Sequence, residues 1–204
     1  MSITTRVKNI LLTPKTEWAA ISHETETPQT LLGKYVIPMA LIPAVALFIG
    51  FGLIGIGTGF GRFSDIGFGA RLGVQSFVGS IIGYYLCTYV IDALAPTFGS
   101  EKNIGRSAQL VAYSFTASWV AGIFSILPSL RILSILGLYG VYLIYEGIPV
   151  MKKTPEDKRI GYLVLTAVVL IVITYVVALV LERIMYATMG GGYLGHDMQD
   201  LRWR

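Results

Sequence analysis

The stretch YLVLTAVVLIVITYVVALVL, residues 162–181, decides the fold of this chain. It carries no charged residue, and a helix that rises ~1.5 Å per residue needs ~20 such residues to cross ~30 Å of hydrocarbon. Apolar and polar residues do not alternate along it, which excludes a strand of a membrane barrel. Since lipid offers no partner for exposed backbone groups, the stretch is predicted to be a transmembrane helix.

Four similar apolar runs precede this stretch. The five predicted spans, numbered one to five, cover roughly residues 35–57, 72–95, 107–127, 130–150 and 159–186. The composition agrees, because 54% of the 204 residues are hydrophobic and only 14% are charged, against roughly 25% charged in ordinary soluble domains. The predicted fold class is therefore all-α: a polytopic integral membrane protein with a bundle of five transmembrane helices, formed by residues 33–187.

The basic residues predict the orientation. With the N-terminus inside, ten basic residues would face the cytoplasm and six the outside: Arg6, Lys8, Lys15, Lys34, Lys102, Arg106, Lys152, Lys153, Lys158 and Arg159 against Arg62, Arg71, Arg131, Arg183, Arg202 and Arg204. The positive-inside rule then predicts a multi-pass protein of the cytoplasmic (inner) membrane, with residues 188–204 as an extracytoplasmic tail. An anionic leaflet accounts for the net charge of +4, so no nucleic-acid partner is required.

Residues 1–32 form a cytoplasmic segment ahead of the first span. Apolar residues recur in it at helical spacing: Ile3, Val7, Ile10 and Leu11, followed by Trp18 and Ile21. This pattern predicts one or two short interfacial helices on the inner surface, with Trp18 at headgroup depth. A disordered tail is the alternative interpretation.

Prolines and small residues within the spans predict bends and close helix contacts. Bends are expected at Pro38 and Pro43 in span one and at Gly147 and Pro149 in span four. The small-xxx-small spacing of closely packed membrane helices occurs at Gly79 with Gly83, at Ala117 with Ala121, and at Ser118 with Gly122. We interpret these pairs as contacts between spans of one chain rather than between two copies.

Three Thr-Pro steps each predict the start of a helix, because threonine caps a helix and proline suits its first position. They are Thr13-Pro14, Thr27-Pro28 and Thr154-Pro155. The last has Asp157 three residues after Thr154, so it also has the spacing of a capping box.

Two carboxylates lie inside the predicted spans. Glu146 is fifteen residues, or ~22 Å of helix, after Arg131, which leaves it ~8 Å short of the inner edge of the hydrocarbon. A charge at that depth costs on the order of 2.5–3.5 kcal/mol, so it needs a partner or a proton. Tyr139 and Tyr142 lie on the same helical face and are its predicted partners.

Asp92 is a second carboxylate inside the predicted hydrocarbon region, near the inner end of span two. Its predicted partner is Arg106 at the start of span three, or Lys102 just before it. The two carboxylates have two interpretations: a proton- or cation-responsive site open to the cytoplasm, or polar contacts that hold the helices in register. The structural interpretation is preferred, because a coupled transporter would ordinarily show more polar lining and an internal repeat.

The same sequence argues against common enzymes. His23 and His196 are the only histidines and both lie outside the spans, and Cys87 is the single cysteine, which allows no disulfide within the chain. A buried histidine-based metal site or catalytic triad is thereby excluded. No metal, cofactor or catalytic residue is therefore predicted.

Three segments resemble a known family. They are TPKTEW at residues 13–18, GRSAQLVAYSFTASWVAGIFSILP at 105–128, and LGLYGVYLIYEGIPVMKKTPEDKRIGY at 136–162. Together they are similar to the YIP family of five-span membrane proteins, named for eukaryotic members that interact with Ypt/Rab GTPases. The resemblance implies a cytosolic N-terminus, five spans and an outside C-terminus.

The chain departs from the eukaryotic members in its short N-terminal arm, which has no DLYGP-like motif. The resemblance is therefore to prokaryotic members, and no GTPase partner is assumed. We expect a scaffold or adaptor that works through helix contacts with other membrane proteins or a larger membrane complex, surrounded by lipid. The alternative is a small permease or ion-responsive channel that uses Glu146 and Asp92.

Overall fold

The computed structural model describes residues 2–58 and 61–185, most of which are helical. The α-helices are α1 (Ile3–Leu12), α2 (Pro14–Ile21), α3 (Pro28–Leu31), α4 (Ile37–Leu47), α5 (Ile66–Leu94), α6 (Ile104–Ser114), α7 (Thr116–Ala121), α8 (Tyr139–Lys152) and α9 (Glu156–Met185). A small antiparallel hairpin joins β1 (Ile56–Thr58) to β2 (Gly61–Phe63). The predicted tail, residues 188–204, lies outside the described residues.

Five helical segments are long and apolar enough to cross a membrane, which confirms the predicted all-α bundle. They are span one (Pro28–Ile54), span two (Ile66–Phe98), span three (Ile104–Ile126), span four (Ser129–Lys152) and span five (Glu156–Ile184). Spans one, three and five begin at the end of the bundle where spans two and four finish. We call this end the N-terminal face.

Span one is interrupted by wider turns. π-Helical turns at Leu32–Val36 and Phe48–Ile54 flank α4, and Pro38 and Pro43 lie near its start and in its interior. Such turns and prolines are the local features at which helices bend. The bends predicted here, and those at Gly147 and Pro149 within α8, stay predictions.

Span four begins as an unusually long 3₁₀ helix, Pro128–Leu138, before it continues as α8. This part packs closely against span three: a Cβ added at Gly137 would lie 3.0 Å from Ser118 Cα. The Ser118 hydroxyl donates to the Gly137 carbonyl at 3.1 Å. A serine on one span and a glycine on the next therefore bring the two backbones together.

Small residues bring other backbones together, but not all of the predicted ones do. A Cβ on Gly122 would lie 2.5 Å from Pro43 Cβ, and Ala117 and Ala121 are buried. Among residues 2–58 and 61–185, a Cβ on Gly79 would in contrast reach only the tip of Leu181 at 3.7 Å, and one on Gly83 would meet no atom within 4 Å. The expected tight contact at Gly83 is wrong, because that face of span two borders a cavity beside span five.

The N-terminal segment forms helices α1 and α2, which pack on the bundle. Ile10, Trp18 and Ile21 are fully buried. A Cβ on Gly147 of α8 would lie 2.8 Å from Trp18 Cε2, so the indole occupies the space that this glycine leaves. The Trp18 ring therefore packs within the protein rather than against lipid, and its expected headgroup depth stays a prediction.

The Thr-Pro steps precede helices, with different roles for their hydroxyls. Thr27 caps α3 by accepting from the Thr30 N–H at 3.2 Å. Thr13 makes no such bond to α2. The Thr154 hydroxyl instead bonds Ser100 Oγ at 2.8 Å and the Ile148 carbonyl at 3.4 Å. The capping box predicted for Thr154 and Asp157 is wrong, because tertiary contacts take the threonine hydroxyl.

Candidate functional site

Three groups of buried or partly buried ionisable side chains lie at the N-terminal face. Lys152 is fully buried there, and Asp92 is 7% exposed. Glu146 and Arg159 form a second pair, and Arg6 of α1 belongs to a third group. We treat these groups as the candidate site because each holds charge where water is scarce.

The Asp92–Lys152 pair joins three spans. Lys152 Nζ lies 3.0 Å from Asp92 Oδ1, 2.7 Å from Ser107 Oγ and 3.2 Å from the Asn103 carbonyl. Asp92 Oδ1 also accepts from the Asn103 N–H at 2.8 Å and from Ser107 Oγ at 3.1 Å. All three ammonium hydrogens thus have acceptors, which is what a buried charge requires.

The end of α8 directs two neighbouring lysines to opposite environments. Lys153 adopts a left-handed conformation with φ of 51°, which ends the helix directly after Lys152. The Lys152 side chain then lies inside the bundle, whereas Lys153 is 77% exposed and pairs with Glu101 at 2.9 Å. The bond from Lys153 lowers the pKa of Glu101.

The predicted partners of Asp92 are therefore wrong. Arg106 donates from Nη1 to the backbone carbonyls of Ile21 at 3.3 Å and Glu24 at 3.2 Å, and so anchors the N-terminal segment. Lys102 borders the cleft beside Asp92 without an ion pair to it in the part of the chain that the structure describes. The sequence indicates Lys152 only as one of the basic residues that face the cytoplasm, because the left-handed turn at Lys153 that directs it inward has no clear sequence signal.

Glu146 pairs with Arg159 of span five, at 3.6 Å from Oε1 to Nη2. Arg159 also donates to the Tyr145 carbonyl, from Nε at 2.9 Å and from Nη2 at 2.7 Å, and its guanidinium lies 3.6 Å from the Tyr145 ring centre. The side chains of Glu146 and Arg159 are 15% and 11% exposed. This pair ties the start of span five to the end of span four.

The predicted tyrosine partners of Glu146 bind elsewhere. The Tyr139 hydroxyl donates to the Leu11 carbonyl of α1 at 3.1 Å. The Tyr142 ring packs on Tyr139, with centroids 5.2 Å apart. Helical spacing predicted the tyrosines as partners of Glu146, but the docked N-terminal segment supplies the Leu11 carbonyl as an acceptor, which the sequence pattern does not reveal.

Arg6 is the functional candidate that sequence reasoning missed. Its guanidinium contacts Glu17 at 2.5 Å and Glu24, and it lies 5.1 Å from the Tyr113 ring centre on span three. Burial by itself would lower the pKa of Arg6, but the hydrogen bond to Glu24 and the neighbouring negative charges raise it. The sequence did contain a signal for this cluster: Arg6 lies on the apolar side of an amphipathic helix, and Glu17 and Glu24 follow it in the chain.

The site holds charges together rather than presenting them to a substrate. Asp92, Lys152, Glu146 and Arg159 each have a partner of opposite charge within the chain. Among residues 2–58 and 61–185, no group of three or more His, Cys, Asp or Glu side chains could hold a metal ion. The arrangement therefore suits the fixing of helix positions.

Comparisons with known proteins identify the family of this chain. A family model described as the Yip1 domain matches residues 8–179. The chain is also similar to "Inner membrane protein YohC" of Escherichia coli strain K12, with 24% identity over 155 residues that cover 73% of this chain and 80% of that protein. The protein of the same name from Escherichia coli O6:H1 matches with the same values. No solved structure matches this chain.

The family model spans most of the five-helix bundle and the docked N-terminal segment. It therefore includes Asp92, Lys152, Glu146 and Arg159, the charges that hold the N-terminal face together. The resemblance seen in the three sequence segments is thereby confirmed, and the chain is an integral membrane protein that belongs to the Yip1-domain family.

Proposed function

We propose that the protein is a membrane scaffold that binds membrane-spanning helices of other proteins. The observation that carries this proposal is the internal pairing of the charges in the spans. Asp92 and Glu146, the carboxylates that a permease would use, are bonded to Lys152 and Arg159. A buried carboxylate that is already paired with a cation of the chain cannot accept and release a transported ion without breaking that pair.

Span five offers the binding surface. Only 6% of its most apolar stretch is buried within the chain, against 67% for span three. Val168, Val172 and Val176 are each at least half exposed. Since helices in lipid associate through packing rather than through the hydrophobic effect, a span with few contacts of its own keeps its packing surface for a partner.

Photo-crosslinking in intact membranes tests this surface. A photoreactive residue at Val172, 56% exposed on span five, is compared with one at Val45, 50% exposed on span one. We expect a discrete protein adduct from Val172 and none from Val45. Equal adducts from both positions, or lipid adducts alone from both, would contradict a partner on span five.

Flux measurements separate the scaffold from the permease. The purified protein is placed in vesicles, and pH-dependent ion flux is compared between the native chain and Glu146→Gln. We expect no flux above that of empty vesicles from either protein. A flux that the substitution abolishes would overturn the scaffold proposal in favour of a permease.

The proposed orientation places the N-terminus in the cytoplasm, as the distribution of basic residues favours. Lys8 is exposed on α1, and Cys87 is 3% exposed, so the native cysteine gives little background. We expect a membrane-impermeant maleimide to label Lys8→Cys only after the cells are permeabilised. Labelling of intact cells would reverse the orientation.

A further inference from the structure

A cleft opens at the N-terminal face between the ends of spans one, two and three. Its volume of about 470 Å³ falls within the range of about 300–1,000 Å³ that is usual for sites that bind small molecules. Its lining includes Gln29 of span one, Tyr89 and Asp92 of span two, Lys102 just before span three and Ile104 at the start of that span. The cleft can therefore bind a polar group together with an apolar one.

Asp92 uses only one of its two carboxylate oxygens to hold the bundle together. Oδ1 accepts from Lys152 Nζ, from the Asn103 N–H and from the Ser107 hydroxyl. Oδ2 takes part in no hydrogen bond within residues 2–58 and 61–185, and unlike the unpaired Thr166 Oγ1 it is not sealed from water. Since Asp92 is otherwise buried and lines the cleft, this open oxygen can accept a hydrogen bond from a ligand there.

The charges around the cleft leave Lys102 without a balancing partner. Asp92 pairs with Lys152 and Glu101 pairs with Lys153, so these four charges cancel. Lys102 is exposed, lines the cleft and makes no ion pair with any of the residues that the structure describes. The cleft therefore attracts an anion. A ligand cation at Asp92 Oδ2 would instead meet Lys102 and a carboxylate whose charge Lys152 already balances.

The cleft lies where the spans begin, which is the level of the lipid headgroups. Span one begins at Pro28 and span three at Ile104, and both residues line the cleft. Tyr89 is 57% exposed and lies about one helical turn further from the N-terminal end of the bundle than Asp92. Tyrosine is enriched where hydrocarbon meets headgroups. A lipid can therefore place its headgroup in the cleft while its chains lie along span two beside Tyr89.

The cleft also selects the kind of headgroup. Lys102 offers a positive charge to a phosphate, and Asp92 Oδ2 offers an acceptor to a hydrogen-bond donor. A hydroxyl can donate to Oδ2 and leave the pair of Asp92 with Lys152 intact. A phosphate that carries a hydroxyl on the same headgroup therefore matches both sides of the cleft.

We propose that the cleft binds the headgroup of an anionic lipid that carries a hydroxyl, with its phosphate at Lys102 and its hydroxyl donating to Asp92 Oδ2. This site is separate from the scaffold surface, which is the outward face of span five. Lipid binding can thus fail while the crosslinks at Val172 persist, and the reverse also holds.

The test uses the full chain, purified in detergent and stripped of lipid, with binding measured by native mass spectrometry. Dioleoylphosphatidylglycerol carries both the phosphate and the hydroxyls. Dioleoylphosphatidylethanol has the same chains and charge but no hydroxyl, and the loss of one hydrogen bond should weaken its binding about fivefold. Dioleoylphosphatidylethanolamine, with an ammonium in place of the hydroxyls and no net charge, should bind more weakly still. Binding of either lipid as tightly as phosphatidylglycerol would overturn the proposal.

Free glycerol 3-phosphate distinguishes a lipid from a soluble ester with the same polar groups. It should not displace dioleoylphosphatidylglycerol at equal concentration, because it lacks the chains that lie along span two. Displacement at equal concentration would show that the cleft binds a soluble phosphate ester, which would overturn the assignment to a lipid.

Substitutions at the cleft locate the site. Lys102→Gln removes the charge for the phosphate and should weaken phosphatidylglycerol binding about fivefold, whereas the matched control Lys8→Gln removes an exposed lysine of α1 and should leave it unchanged. Ala93→Phe places a ring in the cleft and should abolish binding. Its control, Ala20→Phe, changes an exposed alanine of α2 and should bind normally. Equal effects within either pair would contradict the assigned site.

Discussion

Span three and span five are the two extremes of the bundle. Span three has the lowest mean hydropathy of the five, 1.3, and the largest buried share, 67%. Span five has the highest mean hydropathy, 3.0, and the smallest buried share, 6%. In water this order would be reversed. In lipid an apolar side chain gains little by leaving the surface, so polar contacts and close packing decide which helix lies at the centre.

The contacts of span three show how this works. Ser107 shares in the Asp92–Lys152 pair, and Tyr35 of span one meets Thr116 at 2.7 Å. The Trp119 indole donates to Ser80 of span two at 3.3 Å. Each of these bonds satisfies a group that lipid would leave unpaired. Span five makes the Arg159 contacts and the bond from Tyr162 to the Ile91 carbonyl at 2.5 Å, both near its start.

The largest expected effect comes from breaking the central charge pair. Lys152→Met leaves Asp92 buried without its counter-charge, so we expect the free energy of unfolding to fall by about 3–5 kcal/mol. Thermal unfolding in detergent measures the loss. The matched control, Lys153→Met, removes an exposed lysine and should cost less than about 1 kcal/mol. Equal effects of the two substitutions would refute the structural role of the buried pair.

A second comparison tests how tightly spans three and five pack, with one glycine that faces each of them. A Cβ at Gly147 would lie 2.5 Å from Leu110 Cδ1 of span three and 2.8 Å from the Trp18 ring. Gly147→Ala should therefore destabilise the protein by about 1–3 kcal/mol through overpacking. Gly83→Ala meets open space beside span five and should change stability by less than about 0.5 kcal/mol. A larger loss from Gly83→Ala would show that span five packs more tightly than described.

A smaller effect is expected from the pair that ties span five to span four. In Glu146→Leu, Arg159 keeps its two bonds to the Tyr145 carbonyl and its contact with the Tyr145 ring. We therefore expect a loss of about 1 kcal/mol, well below that of Lys152→Met. Thermal unfolding in detergent checks this order. A loss as large as that of Lys152→Met would mean that Arg159 depends on Glu146 alone.

The smallest effect concerns Glu101, whose pKa is lowered by the bond from Lys153. A carboxyl with a lower pKa in the folded state stabilises the protein above its unfolded pKa, close to 4.5. That stabilisation is lost as the pH falls from this value through the lower pKa of the folded state. The native chain should therefore lose slightly more stability than Glu101→Gln as the pH is lowered from about 5 to about 3. Identical pH profiles of unfolding would show that this exposed pair contributes nothing.

The sequence predicted the spans well because their signal is local. Length and hydropathy identify each of them without knowledge of its neighbours, and the segments around Trp18, Ser107 and Glu146 identified the family. The partners of the buried charges were not predictable in the same way. Lys102 and Arg106 are close to Asp92 along the chain, but Lys152, 60 residues away, is the one that reaches it.

Two further residues show the same limit of local patterns. Trp18 has the pattern of an interfacial anchor, but Gly147 of a distant helix leaves the space in which it is buried. Gly83 has the spacing of a packing motif, but no atom of the part of the chain that the structure describes lies within 4 Å of an added Cβ. A local sequence motif shows that a helix surface is suited to a contact. Whether the contact forms depends also on the helix that lies opposite.

That the chain spans a membrane with five helices follows from its amino-acid order alone, because the hydrophobic length of each run is a property of consecutive residues. The tertiary structure alone decided which charges meet, which glycines bring helices together and where a cleft opens beside Asp92. Those outcomes depend on the relative positions of distant helices, and in lipid these positions follow from a few polar bonds and close backbone contacts rather than from hydropathy.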